Sequence, residues 1–146
     1  MDKSKILQIV HDKLSEKIGH LEHLIAETRA ANNETKSSMG DKYETSREMV
    51  QQEINNLQIQ LNENLRAKNS LKLINTNSQS VVGLGSLVET ETGFFYIAVS
   101  LGEISFQEHM IFVISTESPL AKAMHGKRKG EGFSLNNSKQ TIYCVS

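Results

Sequence analysis

The sequence lacks tryptophan, contains a single cysteine, Cys144, and has no long uncharged apolar run. One thiol cannot form a disulfide within the chain, and the alternating run TIYCVS around it is typical of a strand residue rather than a reactive thiol. The first residues, MDKSKILQIVHDK, place charges on both sides of a short apolar run, whereas a signal peptide or membrane span needs a long uncharged one. We therefore expect a cytoplasmic protein without a membrane partner.

The sequence also has little net charge. Sixteen basic and seventeen acidic side chains leave a formal charge of -1. A protein that holds nucleic acid mainly through phosphate contacts needs a broad positive surface, so any contact with nucleic acid is expected to be local or indirect. The chain has no glycine-rich phosphate loop, nucleophile elbow or Cys/His cluster. His20 and His23 are spaced for one helix face, but no third ligand is evident and we interpret them as surface residues.

What the first half does have is two long amphipathic stretches. From Lys5 to about Ala31, and again from about Tyr43 to Leu73, apolar residues recur every three or four positions without a proline. They are Leu7, Val10, Leu14, Ile18, Leu21, Leu24 and Ile25, then Val50, Ile54, Leu57, Leu61, Leu65 and Leu71. Each stripe is too narrow to be a core alone, and the intervening NNETKSSMGD is rich in turn formers. The pattern predicts an antiparallel helical hairpin, a coiled coil over residues 1–74, whose tip lies roughly 40 Å from its base.

The second half follows a different pattern. A linker over residues 75–80, NTNSQS, ends the helical rhythm. The segments VVGLGSLVET, GFFYIAVS, HMIFVIS and QTIYCVS are short and rich in β-branched and aromatic residues, which predicts four or five antiparallel strands in a domain over residues 81–146. Before the last strand, Ser118 can cap a short helix that begins at Pro119 and is closed by Gly126. The predicted fold class is α+β.

The turn between the two helical stretches carries Asp41 and Glu44, directly after a glycine. Acids three residues apart at a helix start form a capping box, in which both side chains accept hydrogen bonds from backbone N–H groups near the positive end of the helix dipole. A cap can also orient carboxylate oxygens for a later role. The spacing alone therefore favours capping and leaves a functional role open.

Two segments carry a resemblance to a known family. GDKYE, which contains Asp41 and Glu44, matches a Gly-Asp-x-x-Glu pattern, and STESPLAKAMHGKRKGE is similar to Ser-x-x-Ser-Pro-x-Ala-x-Ala-x-x-Gly-Lys-x-x-Gly. The second match runs through Ser115, Ser118, Pro119, Ala121, Ala123, Gly126, Lys127 and Gly130. In this order they resemble the hairpin tip and the FKBP-like carboxy-terminal domain of the bacterial Gre-type transcript-cleavage factors, GreA and GreB, over nearly the whole chain. After the second acid this sequence has TSRE where the family usually has Asn-Ala-Glu-Tyr, which is typical of a divergent member.

The resemblance implies a function in transcription elongation. The hairpin would enter the secondary channel of bacterial RNA polymerase and place Asp41 and Glu44 beside the active-site magnesium. There the two acids would hold a Mg²⁺ ion shared with the polymerase, and so stimulate the polymerase's own cleavage of backtracked RNA and rescue arrested complexes. Two carboxylates are too few for a tight site, so we expect no metal or cofactor in the free protein. We expect a monomer that is not itself an enzyme and meets the nascent RNA 3′ end only indirectly.

The resemblance also implies two sets of contact residues. Near the tip, Lys36, Lys42 and Arg47 would contact RNA or polymerase. In the carboxy-terminal half, docking on the polymerase would involve Ser118, Pro119, Lys127, Arg128 and Lys129. For the basic residues of both sets, ordinary solvent-exposed charge is the simpler interpretation.

Three other functions stay open. One is a channel-binding regulator without cleavage activity, although the chain keeps both tip acids. Another is a coiled-coil adaptor that pairs with a protein through its hairpin or sheet and would tolerate changes at the tip. The third is a prolyl isomerase, suggested by the FKBP-like half, but its pocket would need aromatic residues, and this sequence offers few rings.

Overall fold

The structure, a computed structural model, describes residues 1–34 and 44–146, without the side chains of residues 32–34 and 44–46. The elements in chain order are α1 (Lys3–Glu34), α2 (Glu44–Ser70) with a 3-10 turn (Leu71–Leu73), β1 (Leu87–Thr90), β2 (Gly93–Ala98), β3 (Gly102–Phe106), β4 (His109–Ser115), α3 (Pro119–Met124), β5 (Gly132–Leu135) and β6 (Ser138–Val145). The predicted architecture is confirmed, because a helical part is followed by a sheet with one short helix.

The described residues form two compact units. Lys13–Lys68 make up one, which we call the helical unit. Met1–Asp12 and Asn69–Ser146 together make up the other, which we call the sheet unit. The domain limits 1–74, 75–80 and 81–146 stay a prediction.

The sheet has six strands in the order β3-β4-β2-β1-β6-β5. All neighbours are antiparallel except β2 and β4, which are parallel. The prediction of four or five strands, all antiparallel, was therefore wrong in number and in one pairing. The additional strands β3 and β5 are short and are joined to β4 and β6 by two-residue turns. The parallel pair arises because β3 leads the chain out to the sheet edge before β4 returns beside β2.

One face of the sheet packs against α3. Its core consists of the buried residues Val82, Val88, Phe95, Ile97, Ala121, Met124, Phe133 and Ile142. Ser118 caps α3, because its Oγ accepts a hydrogen bond of 3.1 Å from the N–H of Ala121, and Pro119 occupies the first turn. Gly126, with φ of +76°, follows the end of the helix in the left-handed conformation that glycine favours. The predicted short helix is confirmed in its start, its cap and its end.

Residues on the opposite sheet face are also buried. Tyr96 and Ile111, whose positions on β2 and β4 alternate with those facing α3, are fully buried. The first turns of α1 belong to the same unit, and Ile6 and Val10 on them are fully buried as well. The ammonium of Lys3 donates to the backbone oxygens of Asn77 and Ser146, at 2.7 Å and 3.0 Å. Burial lowers the pKa of Lys3.

Tyr96 is the largest fully buried side chain of the sheet unit. Its hydroxyl has no hydrogen-bond partner among the described residues. Burial raises the pKa of this hydroxyl to about 12, because the phenolate is disfavoured away from water.

Candidate functional site

The helical unit is held together by an apolar seam between α1 and α2. The seam contains Ile18, Leu21 and Ile25 from α1 and Ile54 and Leu61 from α2, all buried, with Val50 and Leu57 partly buried against them. Ile25 precedes the end of α1 by nine residues and Ile54 follows the start of α2 by ten. Residues at nearly the same number of positions from the connection therefore belong to one apolar cluster, as expected for two helices that run antiparallel and are joined by residues 35–43.

The seam ends earlier along α2 than the sequence pattern predicts. Leu65, placed in the stripe, is 44% exposed, whereas the neighbouring Asn64 is half-buried. The amide of Asn64 donates to the backbone oxygen of Gln60 at 2.8 Å, which satisfies this polar side chain within its own helix. The helical period at this level thus turns Asn64 toward the partly buried side and leaves Leu65 exposed.

The predicted acidic site lies in the connection between the two helices. Lys36, Asp41 and Lys42 fall outside the described residues. Glu44 is the first residue of α2, but its side chain also lies outside the described part of the structure. Both the capping role and the metal role of the two acids therefore stay predictions. Arg47 lies in the first turn of α2 and is half-buried.

The donor chemistry of the acidic pair suits magnesium, which binds hard oxygen ligands through one or two carboxylates and keeps several waters. Elsewhere in residues 1–34 and 44–146, no group of three or more His, Cys, Asp or Glu side chains could hold a metal ion. His20 and His23 are exposed, and His23 Nε2 lies 2.9 Å from Glu27 Oε1 on the same helix. The interpretation of both histidines as surface residues is confirmed.

The predicted docking residues of the sheet unit lie at the two ends of α3. Ser118 and Pro119 form its amino-terminal end, and Lys127, Arg128 and Lys129 follow its carboxy-terminal end. The helix between them has six residues and extends about 9 Å along its axis, at 1.5 Å per residue.

Backbone hydrogen bonds hold the basic loop in place. The N–H of Val82 donates to the oxygen of Lys127 at 2.8 Å, and the chain at Arg128 forms an isolated β-bridge with Val81. The N–H of Arg128 donates to Glu131 Oε1 at 3.0 Å, and the N–H of Glu131 donates back to the oxygen of Arg128 at 3.1 Å. The loop therefore presents three cationic side chains from a fixed backbone.

A groove of about 350 Å³ lies on the β5–β6 hairpin. Its lining consists of Gly132, Phe133, Ser134, Lys139, Gln140 and Thr141. Phe133 is the one aromatic residue of this lining, and it is buried in the core beside α3. The groove therefore does not provide the aromatic-lined pocket that a prolyl isomerase would need.

Sequence reasoning missed this hairpin. The signal was present in the dipeptide Asn136–Asn137, since asparagine tolerates the positive φ that two-residue hairpin turns require. Both residues have positive φ, 51° and 66°. Cys144, predicted as a strand thiol, lies on β6 and is exposed. No helix within the described residues is long and apolar enough to span a membrane.

The fold and the candidate site together define an α+β protein in which an antiparallel helical pair precedes a six-stranded sheet. Among solved structures, it is similar to the GreA factor homolog 1 (Gfh1) protein of Thermus thermophilus, with 19% sequence identity over 93% of this chain and 94% of that chain and a TM-score of 0.39. A second structure of the transcription factor Gfh1 matches with 19% identity over 92% of each chain and a TM-score of 0.38. Thermus aquaticus Gfh1 matches with 19% identity over 92% of each chain and a TM-score of 0.36. No model of a protein family matches the chain, and no curated protein does either.

Proposed function

We propose that this chain is a transcription elongation factor that binds bacterial RNA polymerase through its secondary channel and stimulates cleavage of backtracked RNA. The observation that carries the proposal is the antiparallel seam of the helical unit. It directs the ends of two long helices to the segment that contains Asp41 and Glu44. A narrow helical pair is a suitable element to carry two acids into a channel. The polymerase partner implies a cytoplasmic location and an accessory role rather than an independent enzyme.

The two acids supply the chemistry of the proposal. Asp41 and Glu44 would provide carboxylate oxygens to a Mg²⁺ ion shared with the polymerase, which would stabilise charge on the phosphodiester under attack. The predicted capping box would support this role, because hydrogen bonds from the first N–H groups of α2 would hold the carboxylates in one orientation. Lys36, Lys42 and Arg47 would balance negative charge on RNA next to them.

Docking of the sheet unit would use the surface around α3. The fixed basic loop of Lys127, Arg128 and Lys129 supports contact with an acidic surface of the polymerase. Ser118 and Pro119 at the other end of the helix would bound the same surface. Charged residues at such a rim mainly affect the rate of association and its dependence on salt.

The test is RNA cleavage in stalled, backtracked elongation complexes assembled with polymerase from the source organism. Wild type is compared with Asp41→Asn, because asparagine is about as good an N-cap as aspartate and the change removes the charge. Glu53→Gln is the matched control, since it removes one exposed acid of α2 nine residues beyond Glu44, roughly 14 Å along the helix. The affinity of all three proteins for polymerase is measured by surface plasmon resonance, with the polymerase immobilised on the surface.

We expect wild type and Glu53→Gln to stimulate cleavage and Asp41→Asn to bind polymerase without stimulating it. If all three proteins bind and none stimulates cleavage, the chain is a channel-binding regulator of another kind. If wild type does not bind polymerase, the whole proposal is wrong and an adaptor function is favoured.

A further inference from the structure

The strand β5 forms one edge of the sheet, and its backbone has groups that pair with no neighbour in the sheet order. Paired residues of β5 and β6 run from Gly132↔Thr141 to Leu135↔Ser138. Just before β5, the N–H of Ile142 donates to the oxygen of Glu131 at 2.9 Å, which fixes the alternation of hydrogen-bonded and non-bonded pairs.

Two residues of β5 therefore direct their backbone groups outward. If Glu131 bonds to β6, then Phe133 and Leu135 do so too, and the N–H and C=O groups of Gly132 and Ser134 point to the free edge. The other side of the ladder agrees, because the N–H of Thr141, which is opposite Gly132, turns away from β5 and donates to Glu91 Oε1 at 2.9 Å.

The side chains at this edge leave room for an approaching chain. Gly132 and Ser134 are exposed and small, and both line the groove of about 350 Å³. Because Gly132 and Ser134 belong to its lining, the groove adjoins the edge strand, and side chains of an added strand would have a place to insert.

The surroundings of the edge are basic. Lys127, Arg128 and Lys129 lead into β5, and Lys139 lies opposite Ser134 and lines the groove. Within residues 1–34 and 44–146, none of these four side chains forms an ion pair. The nearest acid in sequence, Glu131, accepts a hydrogen bond from the backbone of Arg128.

We propose that the β5 edge binds an acidic, extended peptide segment of a partner protein as an added strand. The outward N–H and C=O groups of Gly132 and Ser134 pair with the backbone of the segment, which is the established physical mode of strand addition. The basic residues select acidic side chains on it. A nucleic acid would satisfy the charges but has no backbone amides for the strand edge. The proposal shares the basic loop with the docking surface proposed above, but the strand edge and the peptide measurements below do not require the polymerase.

The test uses the full chain and a fluorescein-labelled peptide of alternating glutamate and valine, with an alternating lysine and valine peptide as counterpart. Fluorescence anisotropy should give saturable binding of the acidic peptide, at least about tenfold tighter than the basic one and weakened by salt. Ser134→Pro removes the outward N–H without removing a bond to β6, and proline is tolerated at such an edge position. We expect it to weaken binding about tenfold or more, while the control Ser134→Ala binds as wild type does.

Two further measurements do not depend on folding of the proline variant. In wild type, the amide resonance of Ser134 should shift on addition of the acidic peptide and become protected from hydrogen exchange. Lys139→Glu should weaken binding of the acidic peptide and strengthen binding of the basic peptide. Absence of saturable binding by wild type, or equal binding by Ser134→Pro and Ser134→Ala, would overturn the proposal.

Two other occupants are distinguished by the same experiment. An oligouridine RNA that displaces the peptide and binds Ser134→Pro as tightly as wild type would assign the basic residues to phosphate binding and refute strand addition. The opposite edge strand, β3, carries Glu103, and Glu108 follows it in the turn, so a second copy of the chain offers an acidic strand as well. If wild type binds no peptide but forms oligomers in light scattering, and Ser134→Pro abolishes these oligomers, the occupant of the edge is a second copy of the chain.

Discussion

Replacing Tyr96 by phenylalanine should stabilise the protein. The side chain is fully buried, and its hydroxyl has no partner among the described residues, so folding removes this group from water without a compensating hydrogen bond. An unsatisfied buried hydroxyl costs about 1–3 kcal/mol, and phenylalanine keeps the ring contacts. We expect Tyr96→Phe to raise the free energy of unfolding by about 1–2 kcal/mol. With an m-value of about 2 kcal/mol per molar urea, the midpoint would move up by about 0.5–1 M.

The assay is urea unfolding followed by circular dichroism, with Tyr143→Phe as the matched control. Tyr143 is 48% exposed, so loss of its hydroxyl should change stability by less than about 0.5 kcal/mol. A loss of about 1 kcal/mol or more in Tyr96→Phe would refute the reasoning, because it would mean that the hydroxyl makes a stabilising hydrogen bond.

The difference in stability between wild type and Tyr96→Phe should depend on pH. The pKa of Tyr96 is raised from 10.0 to about 12 in the folded protein, so the unfolded chain loses this proton first as pH rises. Titration of Tyr96 therefore leaves the free energy of unfolding unchanged below pH 10 and lowers it as the pH rises from 10 toward 12. The stability advantage of Tyr96→Phe over wild type should grow across this window. Parallel curves for the two proteins above pH 10 would contradict the assignment of the raised pKa.

Two further changes test local geometry by the same unfolding assay. Ser118→Ala should lower the free energy of unfolding by about 1 kcal/mol because it removes the cap of α3, and Ser118→Asp should restore most of it; equal stability of all three proteins would show that the cap contributes nothing. Glu108→Gly should raise the free energy of unfolding by about 0.5–1 kcal/mol, because Glu108 in the β3–β4 turn has φ of 66°, which glycine adopts without strain. Asn137→Gly should raise it less, because asparagine tolerates a positive φ. A loss of stability in Glu108→Gly would contradict the strain argument.

Much of the fold could be predicted from local patterns. The 3.6-residue rhythm placed Ile18, Ile25 and Ile54 in one seam, and Ser118 with Pro119 marked the start of α3. These signals work because each depends on neighbours within one helical turn. The exposure of Leu65 shows the limit, since only the packing of the two helices decides where a shared stripe ends.

Strand pairing was less accessible to prediction. β3 carries few apolar residues, and its turn, Gln107–Glu108, has no glycine or asparagine to mark it, although both residues have positive φ. The parallel pairing of β2 with β4 depends on strand order, which period-2 alternation does not encode. The surfaces of the sheet unit differ in the same respect. The residues around α3 were placed by their cap and loop, whereas the outward groups of Gly132 and Ser134 follow from a register known only after folding.

The contact of Lys3 with Ser146 joins residues 143 positions apart, and β6 lies between β1 and β5 rather than at an edge. During synthesis, the residues of the helical unit are all made before β1 begins, so their seam can form while the rest of the chain is still absent. The sheet unit cannot close at the same stage, because β6, which joins β1 to β5 in the sheet, is the last of its strands to be made. Before β6 is made, the apolar first turns of α1 and the earlier strands lack part of the unit that buries them. Slow, late closure of the sheet unit is thus built into the order of its strands.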